Sequence, residues 1–93
     1  MAVSGHTCYI VTFELGAAGN RPALLERLKS FGGFCPLTAN SWAITSTQSA
    51  AQVRDDLKEV IGGGRLFVFR SGTEAAWINA YSEKNSEWLK REL

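Results

Sequence analysis

CYIVTFEL, residues 8–15, is dense in β-branched and aromatic side chains and reads as a strand. Alternation sets Tyr9, Val11, Phe13 and Leu15 on one face and Cys8, Ile10, Thr12 and Glu14 on the other. The second face is also mostly apolar, until Glu14. A strand of that kind is central in its sheet, and each of its faces needs a cover.

Working outward, Met1 to His6 is a polar, Gly-containing lead-in, and GAAGN (16–20) is a loop. Pro22 suits a first helical turn, with Asn20 or Arg21 as the cap. Leu24, Leu28 and Phe31, joined by Leu25, then form one stripe before Gly32-Gly33 ends the helix. Phe34 to Leu37 is a short strand whose Pro36 cannot donate to a ladder, which puts it at a sheet edge. After the turn Thr38-Ala39-Asn40, SWAITS (41–46) returns as its partner. Ser49-Ala50-Ala51-Gln52 fits a capping box, and Val53, Leu57, Val60 and Ile61 line the helix that Gly62-Gly63-Gly64 stops. RLFVFR (65–70) is a fourth strand. Thr73 to Tyr81 reads as an extension with a short extra strand near Trp77, and Ser82 caps a last helix running to about Leu93 through Trp88 and Leu89.

Two β-α-β halves of similar length predict an α+β, ferredoxin-like βαββαβ domain over residues 1–93, with residues from about 73 as a C-terminal extension. Right-handed crossovers place both helices on one face of a four-stranded antiparallel sheet. The face carrying Ile10 is left for the C-terminal segment or a second copy of the chain.

Ninety-three residues suit one domain, and 45% hydrophobic content with three Trp and five Phe argues for a packed core. A formal net charge of +1 supplies no overall drive toward nucleic acid. Cys8 and Cys35 lack metal spacing and read as reduced core thiols. No charged n-region with an apolar h-region opens the chain, and no apolar run approaches the ~20 residues of a membrane span. The expectation is a cytoplasmic protein with no membrane partner.

Glu14, at the end of the first strand on the uncovered face, could offer oxygen to Mg²⁺, with a second Glu14 supplied across a dimer axis. The alternative is a strand-end acid paired with a nearby Lys or Arg. Gly16, Gly19, Asn20 and Arg21 lie at a helix N-terminus, where free N–H groups favour an anion; the alternative is a plain connector. The loop lacks the G-K-[ST] of a P-loop. Gly62-Gly63-Gly64 follows a helix, so carbonyl oxygens would repel an anion there. Phe67 and Phe69 share one face, which suits base stacking or, as the simpler reading, core packing. Trp42, Trp77 and Trp88 read as core or interface residues. A single His gives no acyl-transfer triad. Arg27, Lys29, Arg54 and Lys58 alternate with Glu26, Asp55, Asp56 and Glu59 as a mixed, solvated helix surface.

The strand ending in F-E-L, the Gly-containing loop and the helix ALLERLKSFG resemble the small CRISPR-associated ferredoxin-fold proteins and their relatives, which include virulence-associated protein D. The resemblance extends to a branch with a strand like SWAITS, a helix like VRDDLKEVI and a tail like AAWINAYSEKNSEWLKREL. It implies a homodimer with either metal-dependent endonuclease activity or a DNA-binding structural role. The family's metal-binding Asp ends the first strand, and the matching position here is Glu14. Its extra methylene moves the carboxylate by ~1.5 Å, and Mg²⁺ is exacting about geometry. The expected function is therefore a homodimeric binding or interaction module with weak or absent nuclease activity. The alternatives are a Mg²⁺-dependent endonuclease acting on RNA or DNA through Glu14 of both subunits, and a regulator binding a small anion at the Gly16–Arg21 loop.

Overall fold

A computed structural model describes residues 7–93; the lead-in Met1–His6, with the lone histidine, lies outside the described residues. The chain runs β1 (Thr7–Glu14), α1 (Arg21–Lys29), β2 (Gly33–Thr38), β3 (Ser41–Ser46), α2 (Ala50–Ile61), β4 (Arg65–Arg70) and α3 (Glu83–Glu92). The strands form one antiparallel sheet in the order β2-β3-β1-β4. This is the ferredoxin-like arrangement with an added C-terminal helix. The short extra strand expected near Trp77 is absent: residues 71–82 form irregular chain, interrupted by Gly72 and by Asn79, both with positive φ. The β-branched and aromatic content around Trp77 is too thin, between Ala75-Ala76 and Asn79-Ala80, to outweigh those breaks.

Local signals account for the helix ends. Asn20 caps α1 by accepting from Ala23 N–H at 3.0 Å, and Pro22 sits in the first turn. Ser49 and Gln52 form the full capping box of α2, which ends on Gly62 in the left-handed region. Ser82 caps α3, accepting from Asn85 N–H at 3.1 Å.

The main core lies between the sheet and the pair α1–α2. Tyr9, Val11, Phe13, Trp42 and Ile44 meet Leu24, Leu28, Val53, Leu57 and Ile61, all buried. Each such side chain taken from water contributes about 1.5–3 kcal/mol before entropy is counted. Tyr9 keeps its polar end satisfied by donating to the Gln48 carbonyl at 2.7 Å, which ties β1 to the approach of α2.

The two glycine loops predicted separately are one junction. Gly16 N–H donates to the Ile61 carbonyl (2.8 Å), Ala18 N–H to Gly62 (3.4 Å) and Asn20 N–H to Val60 (3.1 Å). The last turn of α2, whose carbonyls have no helical partner, is thus capped by the β1–α1 loop. The backbones touch so closely that a Cβ on Gly62 would collide with Ala18 and Gly19, and one on Gly64 with the Glu14 carbonyl.

Gly64→Ala should therefore lower the stability measured by urea unfolding by more than about 2 kcal/mol. Gly63→Ala should cost only ~1 kcal/mol, because Gly63 has positive φ but open space around its Cα.

Candidate functional site

The second face of the sheet is divided. The register aligns Cys8, Ile10, Thr12 and Glu14 of β1 with Thr45, Ala43 and Ser41 of β3 on one side, and with Phe69, Phe67 and Arg65 of β4 on the other. Over the β2–β3 side lies α3, whose Trp88, Leu89 and Leu93 pack with Cys8, Cys35, Ala43, Ile10 and Leu37. Leu89 is 2% exposed. Gly33 gives the Trp88 ring its flat seat: an added Cβ there would stand 3.2 Å from Cζ2. Trp77 donates from Nε1 to Ser86 Oγ at 3.0 Å, pinning the irregular segment to α3. Of the three Trp, Trp42 is in the helix-side core, where it lies 5.8 Å from the Phe34 ring, and Trp88 is in the tail contact.

The tail stops short of β4. Phe67 and Phe69 are 60% and 52% exposed, on the same face as Ile10 and Thr12. Core packing, the simpler expectation for these two rings, is thus corrected. Alternation correctly put them on one face, but α1 and α2 cover the opposite face, where Leu66 and Val68 point. A single strand cannot say which of its two apolar faces receives the helices.

Glu14 and Arg65 are cross-strand neighbours, joined at 2.8 Å between Oε1 and the guanidinium and both largely exposed. With Thr12, Phe13 and Phe67 they line a shallow recess of about 210 Å³. Among the described residues no three His, Cys, Asp or Glu side chains gather into a metal-binding group. One Glu14 oxygen already faces a cation, and a second cation alongside would meet Arg65's charge. Within one protomer this donor set does not suit Mg²⁺.

The Gly16–Arg21 loop also takes a structural role. The N–H groups of Gly16, Ala18 and Asn20 are directed into α2, that of Gly19 bonds Gly16 (3.0 Å), and that of Ala23 bonds the Asn20 side chain. Arg21 turns away to Asn40 Oδ1 (3.3 Å) and the Ala39 carbonyl, its guanidinium 5.9 Å from the centre of the Phe13 ring. An anion at this loop would have to displace the bonds that cap α2. On the helix surface Arg54 pairs with Asp55 at 3.0 Å and Arg27 donates to the Asp56 carbonyl.

Cys8 and Cys35 are free and buried. Burial pushes both thiols up, aided at Cys8 by the charge of Glu92 against a lowering bond from Ser71, and at Cys35 by the nearby Cys8. They stand two strands apart and two residues out of register, roughly 11–12 Å by sheet spacing and strand rise, beyond disulfide reach.

In comparisons with known proteins, no family model matches the chain, and no curated protein or solved structure matches it. No helix among the described residues is long and apolar enough to cross a membrane.

Two outcomes follow for the tail and its thiols. Leu89→Ala removes the buried anchor of α3, a loss of about 2–5 kcal/mol, so labelling of Cys8 and Cys35 by a thiol reagent should accelerate more than about tenfold. The raised thiol values stabilise the fold below the unfolded-chain value, and that contribution disappears as pH rises beyond about 8.5. The urea midpoint should fall from neutral pH to about pH 9.5 more steeply in the wild type than in Cys8→Ala/Cys35→Ala.

Proposed function

We propose that the protein is a binding module that works as a homodimer, with the uncovered half of its sheet as the contact surface. The observation that carries this reading is the exposure of Phe67 and Phe69 beside Ile10, on a face whose other half the chain covers with its own tail. Large exposed apolar side chains grouped on one face mark contact sites. The surface is also nearly neutral. Glu14 balances Arg65 at its end, and the whole chain carries a net charge of only +1, so electrostatics oppose self-association little.

Exposed phenyl rings also stack with unpaired bases. That reading is weaker, because a backbone-binding groove needs uncompensated positive charge and Arg65, the cation nearest the rings in the recess, is paired with Glu14. The nuclease reading draws on the sequence resemblance to the CRISPR-associated family alone, and the Arg65 contact works against Mg²⁺ at Glu14.

Sedimentation over a concentration series tests the proposal. The wild type should associate to a dimer, and Phe67→Ser/Phe69→Ser should remain monomeric. The double variant should keep its melting temperature when monomeric, since exposed side chains away from special contacts shift stability by only about 0.5 kcal/mol. A double variant that dimerises like the wild type would refute the assignment of this surface.

A further inference from the structure

The two edges of the sheet are unequal. At one edge, β2 carries Pro36, breaks its register between Pro36 and Thr38, and has α3 beside it, with Asn85 Nδ2 donating to the Pro36 carbonyl at 3.5 Å. Proline, an irregular register and a covering element are among the means by which edge strands avoid pairing with another chain, as are charged side chains, which β4 has only at its two ends in Arg65 and Arg70. At the other edge, β4 has no proline, no irregular register and no covering element. It is six residues, RLFVFR, without proline or register shift, and among the described residues nothing pairs with its outer side.

Hydrogen-bond phase tells which groups that outer side presents. Ser71 N–H donates to the Cys8 carbonyl at 3.0 Å, extending the β1–β4 ladder by one pair. Bonded pairs recur every second residue in an antiparallel ladder. Phe69, Phe67 and Arg65 therefore point their N–H and C=O groups at β1. Leu66, Val68 and Arg70 point theirs outward.

We propose that β4 of one copy pairs antiparallel with β4 of a second copy across a two-fold axis at Val68, joining the two sheets into one of eight strands. This rests on the homodimer reading above and places the contact at the β4 edge of the uncovered half-sheet, where the phenyl rings of the two copies meet side by side. A two-fold axis normal to the sheet pairs residues of like parity, so Val68 faces the second copy's Val68, and Leu66 faces Arg70. Each of these bonded pairs exchanges two hydrogen bonds. On the open face, Phe67 of each copy then lies opposite Phe69 of the other, at the closer, non-bonded positions where cross-strand aromatic pairs act best. No like charges come face to face, because Arg70 meets Leu66 and Arg65 meets Ser71. A register centred on Arg70 would instead oppose two guanidinium groups. The product is a continuous band of four phenyl rings, with a Glu14–Arg65 pair from each copy on the same face. One chain alone supplies only half of that band.

Val68→Pro is the test, compared with the wild type and with Phe67→Ser/Phe69→Ser. Its missing N–H faces outward, so the fold within one chain loses no ladder bond. Sedimentation should give a concentration-dependent dimer for the wild type and a monomer for Val68→Pro, with circular dichroism and melting showing the variant folded. In the wild type, the amides of Leu66, Val68 and Arg70 should gain protection from hydrogen exchange as concentration rises. A folded Val68→Pro that dimerises like the wild type overturns the edge pairing; if the Phe double variant is then monomeric, the contact surface stands without it. A wild type that stays monomeric overturns both. Should Val68→Pro not fold, the exchange measurement decides, and Leu66, Val68 and Arg70 amides that stay unprotected at dimer concentrations overturn the pairing.

Discussion

The last turn of α2 needs partners for carbonyls that the helix itself cannot satisfy, and it finds them in the β1–α1 loop. Much of the molecule's geometry depends on that contact. Val60, Ile61 and Gly62 accept from Asn20, Gly16 and Ala18, so the start of α1 and the end of α2 are held together at one end of the sheet. Glycine is required at Gly62 and Gly64 because two stretches of backbone meet there without room for side chains. The same approach brings the end of β1 beside the start of β4 and so sets Glu14 opposite Arg65. A loop that looks in isolation like an anion cradle is used instead to cap a helix.

That junction governs only the helix side and one end of the sheet. The other face is divided by how far the tail reaches. Through Leu89, Trp88 and Leu93, α3 covers the β2–β3 side together with Cys8 and Cys35. It leaves the β4 side open, where Phe67 and Phe69 remain in solvent. The same tail lies along the β2 edge, which Pro36 already blocks. Exposed aromatic surface and open backbone edge thus fall on the same strand.

Elements whose causes are local were legible in the sequence. The capping box Ser49–Gln52, the Ser82 cap and the alternation in CYIVTFEL each act within a few residues and stand as read, and of the two caps open for α1, Asn20 or Arg21, the structure takes Asn20. Pro36 announced an edge strand for the same reason. The stretch around Trp77 misled, because a few β-favouring residues in a weak context carry little information against Gly72 and Asn79. For Glu14, its position at the strand end and the face it occupies were legible, whereas its partner Arg65 lies 51 residues further along the chain.

What the sequence by itself determined is therefore the order of elements, their caps and which residues share a face, since 3.6- and 2-residue periods and capping bonds are short-range. Tertiary structure alone decided which face of β4 would turn to the helices and how far the tail would extend over the other side of the sheet. Both faces of β4 carry apolar side chains, so hydrophobicity could not rank them; the choice follows from its pairing with β1, which sets Phe67 and Phe69 beside Thr12 and Ile10, and from the anchoring of residues 71–93 over the other side. Those are properties of the assembled chain. They turned Phe67 and Phe69 from expected core residues into the exposed part of the surface.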